Sequence, residues 1–406
     1  MTDESSRIDG LDFLRGCAVM GILLANIVMF ALPAPALFNP FTIGTQGPAD
    51  LAAWTFNALL VDGKMRAIFA MLLGASILLV IESAEMNGRD GMRAHRNRML
   101  WLLLIGLAHY ILLWSGDILV SLALCGLIAT WFVRLDTLGL IKVALALLLL
   151  VWLIDLSVVL PGFWLRSAAL APDAGGAALA AWRAYQDGLG IDPSTTVVAE
   201  LALYQGSYGT ILMDRLSRMP GFLSDQLLHA VPELLCYVAF GMAMLKGGFL
   251  AGQWQEAQYR ATWRRAFLVG LLPMAGLCLW VLLARDPVAA QAMSFGWSVP
   301  LRLPIAVALA AFAMALATRA PDALPVRAIR AVGRLALSNY LLTSLVMTGL
   351  FYGYGAGLFG TPGRAALVPI VLVAWMAMAV WSLAWRQRFG QGPAERLWRR
   401  LARLGG

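Results

Sequence analysis

The sequence predicts an all-α, polytopic integral membrane protein, and three observations carry that prediction. Of its 406 residues 60% are hydrophobic and 13% charged, about half the charge density of an ordinary soluble domain. Apolar runs recur near the roughly 20-residue length that a helix needs to cross a bilayer. They are continuous rather than alternating, so they read as helices and not as barrel strands. Lys and Arg, finally, concentrate on alternate loops.

Ten spans are expected, at about 11–32, 65–84, 98–114, 116–134, 139–162, 226–246, 264–284, 299–319, 332–351 and 365–386. With the N-terminus inside, 22 of the 31 Lys and Arg residues fall on the inner side and 9 on the outer. That asymmetry places both termini in the cytoplasm. It also accounts for the net charge of +8 without nucleic acid as a partner. The opening MTDESSRIDGLD is polar and acidic and no cleavage site follows, so the first span is expected to be retained. Cys17, Cys125, Cys236 and Cys278 all fall inside expected spans without metal or redox spacing, and read as small buried apolar residues.

The chain divides into a five-span bundle over 1–162, an outer-side segment over 163–225 with an interfacial helix, and a second five-span bundle over 226–406. Within the outer segment 33–64, LAAWTFNALLV is too short to span and reads as re-entrant or interfacial. The segment 163–225 reads as loop-like and Ala/Gly-rich at first, and VVAELALYQGSYGTILMDRLSRM as lying flat on the membrane. Small residues at helix-facing spacing are compatible with close packing and with a homodimer.

Ionisable groups inside spans are costly and therefore functional candidates. His109 lies near the outer end of the third span, and Asp117 follows at the turn into the fourth. His109 suits a general base, with Asp117 orienting its ring; Asp117 equally suits a helix cap in SGDIL. His229 and Glu233 stand one turn apart in the sixth span. Asn26, Lys64 and Arg66 complete an outer-half set suited to substrate binding, and Arg302 opens the eighth span at the same level. Asp155, deep in the fifth span, has no assigned partner. His95, in an Arg-rich inner loop, reads as ordinary, and Asn339 as a helix cross-link. On the inner side Arg15, Arg96 and Arg98 could hold phosphates, since guanidinium matches phosphate geometry; the alternative is plain orientation charge. YGYGAGLFG is a turn and not a phosphate loop, because no lysine and no strand accompany it. No metal-ligand cluster and no nucleophile elbow occur.

These motifs, in order, resemble the YeiB family of bacterial inner-membrane proteins. The resemblance rests on RIDGLDFLRGCAVMGILLANI, with Asp12, Arg15, Gly16 and Asn26, and on DGKMRAIFAMLLGASILLV. It continues through RNRMLWLLLIGLAHYILLWSGDIL, YQGSYGTILMDR, GRLALSNYLLTSLVMTGLFYGYGAGLFG and GPAERLWRRL. The family is grouped with a transmembrane acyltransferase superfamily that includes heparan-alpha-glucosaminide N-acetyltransferase, whose opening motif is similar. That enzyme's catalytic histidine lies between its first two spans. The corresponding segment here, 33–64, holds none, so the role does not carry over and His109 or His229 would replace it.

The resemblance, the basic inner mouth and the polar outer half lead to the expected function. Acyl-CoA, acetyl-CoA foremost, would enter from the cytoplasm with its phosphates near Arg15. The His109 cluster would activate a small-molecule, sugar or lipid-linked acceptor outside, with no metal required. Two alternatives stay open: a transporter or exporter of a small amphiphile, proton-coupled through its intramembrane His, Asp and Glu, and a non-catalytic membrane scaffold.

Overall fold

The computed structural model describes residues 2–403, with side chains from residue 9 onward, and no strand occurs among the described residues. The helices are α1 (Thr2–Ala31), α2 (Pro48–Leu60), α3 (Lys64–Met86), α4 (Gly91–Leu112), α5 (Leu119–Ile128), α6 (Thr137–Ala169), α7 (Gly176–Gly188), α8 (Thr195–Tyr204), α9 (Tyr208–Ser217) and α10 (Met219–Asp225). They continue as α11 (Val231–Lys246), α12 (Glu256–Ala284), α13 (Pro287–Ala292), α14 (Val299–Arg319), α15 (Leu324–Arg334), α16 (Ala336–Phe351), α17 (Arg364–Phe389) and α18 (Pro393–Arg403). π-helical turns at Gln226–Ala230 and Met293–Trp297 lead into α11 and toward α14.

Seven segments are long and apolar enough to cross a membrane: Asp9–Ala31, Pro48–Met86, Thr137–Ala169, Met219–Lys246, Glu256–Ala284, Val299–Arg319 and Arg364–Phe389. The protein is therefore a multi-pass membrane protein. The other three expected spans form α4, α5 and α16. The first half of α4 is diluted by Arg93, His95, Arg96 and Arg98. α5 with its 3-10 extension ends at Phe132, and α16 has 16 residues; both are shorter than a spanning helix.

Burial separates the bundle into a centre and a rim. The apolar stretches of α1 and α11 are 61% and 67% buried, whereas those of α6, α12 and α17 are 17%, 22% and 22% buried. α11 packs between α3 and α6 at the centre. Closest approach comes where glycine removes the side chain. A Cβ on Gly241 of α11 would overlap the Met71 carbonyl of α3, and one on Gly74 would overlap the Val238 carbonyl. Gly16 of α1 and Gly333 of α15 stand in the same relation to each other's helix backbones. Small-residue packing is thus realised within one chain. Gly241→Val should destabilise at the upper end of the ~1–3 kcal/mol typical of overpacking, because backbone yields less than side chain. A lower thermal midpoint in detergent, by tryptophan fluorescence, checks this.

The outer segment differs from its expectation. Its Ala-rich start is helical, not loop: α6 runs on to Ala169 and GAALAAWRAYQDG forms α7, as alanine's high helix propensity favours. Ser194 and Ser207 cap α8 and α9 by accepting from Val197 and Thr210 N–H at 3.2 Å. Asp187 ties α7 to α8, and the Thr196 hydroxyl is the largest of the donors that hold its carboxyl below the usual range.

Candidate functional site

His109 stands on the last turn of α4, and the turn at 113–118 folds Asp117 back beneath it. His109 Nδ1 lies 2.7 Å from Asp117 Oδ2, and His109 Nε2 lies 2.8 Å from Ser344 Oγ of α16. The side chains of His109 and Asp117 are 1% and 0% exposed. Asp117 bonds the ring with one oxygen and, with the other, caps the start of α5, its Oδ1 accepting from the Val120 N–H at 2.8 Å. A carboxylate at Nδ1 holds the ring proton there, which leaves Nε2 to accept from the Ser344 hydroxyl. This is the connectivity of a Ser-His-Asp relay. Tyr340 lies against the imidazole with ring centroids 5.0 Å apart, and Trp114 approaches edge-on at 6.5 Å.

Ser344 opens on a cavity of about 10 Å³, the space of one water. Asn26 and the apolar residues Val19, Ile22 and Leu23 of α1 form one wall; Thr343 and Trp114 form the other. Among the described residues the Asn26 amide has no hydrogen-bond partner. Gly106 lets α4 approach the first turn of α5, where a Cβ would meet the Val120 nitrogen.

The segment YQGSYGTILMDR clasps the end of α4 that carries His109. The Tyr208 hydroxyl donates to the Leu112 carbonyl at 2.9 Å, Arg215 Nη1 donates to the Ile111 carbonyl at 3.2 Å, and the Tyr110 hydroxyl donates to the Arg215 carbonyl at 3.2 Å. These bonds satisfy carbonyls that a helix end leaves open. Arg215 is fully buried, and among the described residues its Nε and Nη2 make no hydrogen bond of normal geometry.

The remaining outer-half candidates gather elsewhere. Glu233 sits between Arg66 at 2.6 Å and Arg302 at 2.8 Å. Arg302 also donates to the Ser294 carbonyl of the second π turn. Lys64 is buried and donates to the Ala58 carbonyl at 2.5 Å. His229 faces Asp155, beside this cluster; its Nδ1 lies 3.9 Å from Asp155 Oδ1, and its side chain is 40% exposed. The outer-half candidates thus fall into two groups. His109, Asp117 and Asn26 converge, while Arg66 and Glu233 form a second, ion-paired cluster, and no ion pair joins the two among the described residues. His229 lies on the π turn that leads into α11, and Glu233 on the first turn of α11.

The arginines of the expected phosphate set each have a neighbour of their own or face outward. Arg15 is paired with Asp12 at 2.8 Å, Arg98 stacks 4.6 Å from the Trp398 ring centroid, and Arg96 is exposed. A cavity of about 330 Å³ opens between the start of α1, α15 and the end of α17, lined by Asp9, Arg327, Arg330, Arg334 and Arg386. Asp9 pairs with Arg330 and Arg334 at 2.9 and 2.7 Å. The i, i+3, i+7 spacing of the three α15 arginines was the sequence signal for this shared face. His95 and Asn339 are structural: His95 Nε2 meets the Gly126 carbonyl at 2.9 Å, and Asn339 bonds Val332, Ser382 and Trp381. Among the described residues no group of three His, Cys, Asp or Glu side chains could hold a metal ion.

A family described as "Protein of unknown function (DUF418)" matches residues 244–405. The chain is 31% identical to the "Uncharacterized protein YeiB" of Escherichia coli (strain K12), covering 96% of this chain and 95% of that one. It is 27% identical to the "Uncharacterized protein YxaH" of Bacillus subtilis (strain 168), covering 98% and 94%. No solved structure matches. With its relatives aligned over almost their whole lengths, the chain belongs to the YeiB family.

Proposed function

We propose that this protein is an acyltransferase of the bacterial inner membrane that moves an acyl group, acetyl foremost, from cytoplasmic acyl-CoA to an acceptor on the outer side. The observation that carries the reading is the buried Asp117–His109–Ser344 relay opening on an apolar cavity. Such a relay activates a hydroxyl for attack on a carbonyl. In this reading α4, α5 and α16 complete ten crossings, and both termini are cytoplasmic, as the charge asymmetry favours. The acceptor is a small molecule, a sugar or a lipid-linked group.

The arginine-lined cavity supports a phosphate-bearing donor on the inner side, because Arg327, Arg330, Arg334 and Arg386 outnumber its one carboxylate, Asp9. Calorimetry with acetyl-CoA and longer acyl-CoAs on detergent-purified protein tests this. Each charge-assisted hydrogen bond lost is worth about 1.5–3 kcal/mol, so Arg330→Ala/Arg386→Ala should raise Kd by roughly 100-fold or more. Retention of full affinity in that variant, or no binding of any CoA species by the wild type, would sink the reading. The Glu233 cluster with the neighbouring Asp155–His229 pair favours one rival, proton-coupled export of a small amphiphile. Vesicle flux driven by a proton gradient and indifferent to CoA would select it.

A further inference from the structure

We infer that Ser344 is the nucleophile of the site and carries the acyl group as an ester between donor and acceptor. The inference rests on the acyl-transfer reading and adds a covalent intermediate and a further catalytic residue to it.

The geometry of α16 separates Ser344 from its neighbours. A serine or threonine in a helix usually bonds back to a carbonyl on the preceding turn. Thr343 does this, donating to the Asn339 carbonyl at 2.6 Å, and Thr348 donates to the Leu345 carbonyl at 3.3 Å. Ser344 has the same option, the Tyr340 carbonyl at 3.3 Å, but its shorter contact is His109 Nε2 at 2.8 Å. The base position of the imidazole is therefore already occupied. An acceptor hydroxyl entering the cavity meets Ser344 before it meets His109, so direct transfer would require Ser344 to be displaced first. A serine held between the base and the cavity is instead the first group the base can activate.

The step balances with the groups present. The Ser344 Oγ–H bond breaks as Oγ attacks the thioester carbonyl, and the proton passes to His109 Nε2. The C–S bond then breaks, and the same proton leaves with the thiolate as free thiol. In the second half the acceptor hydroxyl gives its proton to His109 Nε2 while its oxygen attacks the Ser344 ester. The ester C–Oγ bond breaks, and Oγ takes the proton back. Asp117 stays ionised throughout and stabilises the imidazolium. The Asn26 amide, on the cavity wall and unpartnered, is the donor available to the developing oxyanion. The narrow apolar cavity selects a short acyl group. Since it holds about one water as it stands, an acyl group would enter only if its wall yielded, and the stacked Phe30 and Trp114 rings, with centroids 4.0 Å apart, form part of that wall.

The test treats the full-length protein in detergent with a fluorophosphonate serine probe and, separately, with radiolabelled acetyl-CoA without acceptor. An acid quench and peptide mass spectrometry follow. The expected result is a phosphonyl or acetyl adduct on the Ser344 peptide. It should be absent in Ser344→Ala and form at least about 100-fold more slowly in His109→Ala. Ser344→Cys guards against a misfolded alanine variant, because it should take the acetyl group as a thioester released by neutral hydroxylamine. Acetyl transfer that persists in Ser344→Ala overturns the covalent step and leaves the acyltransferase reading standing. A phosphonyl adduct with no turnover of any acyl-CoA supports the activated serine and overturns the CoA donor. No adduct from either reagent in a wild-type protein that transfers acetyl overturns the inference alone.

Discussion

His109→Ala should lower acyl transfer at saturating acyl-CoA by about 10²–10⁴-fold, the usual contribution of a positioned general base, while acyl-CoA affinity stays unchanged. The two effects separate because the relay and the arginine-lined cavity are held by different elements: α4, the turn at 113–118 and α16 on one side, α1, α15 and α17 on the other. Asp117→Asn is the sharper variant. Its Oδ1 can still accept from Val120 N–H, so the start of α5 is preserved. An amide NH₂ turned toward Nδ1 favours the tautomer with its proton on Nε2, which cannot accept from Ser344. We expect kcat to fall by a similar order with little change in KM or thermal midpoint. If the histidine merely cross-links α4 to α16, His109→Ala would instead cost about 1–3 kcal/mol of stability for the polar groups it leaves unpaired. Transfer rates measured beside thermal midpoints decide between the two, and a rate that only follows the folded fraction would refute the catalytic role.

The helical membrane architecture was legible from composition and run length, because a bilayer accepts few other solutions. Span count was less so: the apolar runs at 116–134 and 332–351 pass through turns and helix ends that hydropathy does not mark. His109 and Asp117 were legible as a pair because eight residues around one turn bring them together. Ser344 was not, since it lies 235 residues from His109 and a lone sequence carries no signal for that contact. Its type misleads as well, because a serine in a spanning helix ordinarily bonds its own backbone. His229 and Glu233 looked like one helix face under a 3.6-residue period, whereas His229 lies on the π turn at Gln226–Ala230 and Glu233 on the first turn of α11. Arg15 looked like a free cation because Asp12, three residues earlier, reads equally well as a solvated charge; in the fold Asp12 pairs with both Arg15 and Arg334.

Glu233→Leu should be the most destabilising of the substitutions considered, by about 3–5 kcal/mol, because it leaves a buried guanidinium without its carboxylate. The two arginines bear that loss unequally. Arg66 is 39% exposed and can turn toward a polar surface, whereas Arg302 is 7% exposed and is fixed by Ser294 of the π turn and by Ser298 just before α14. Arg302→Met should cost less, since Glu233 keeps Arg66 as a partner, although the Ser294 carbonyl loses its donor. The double variant Glu233→Leu/Arg302→Met should then recover most of the loss, as paired buried charges replaced by apolar groups often do. Unfolding in detergent across this cycle gives the coupling energy directly. Simple addition of the two single effects would show that the cluster is not an energetic unit. A stable double variant that still transfers acetyl would make the cluster a structural device, separate from the chemistry at His109. A stable double variant that loses a proton-driven flux, with acyl-CoA turnover absent from the wild type, would move the function of the protein from the relay to this second cluster.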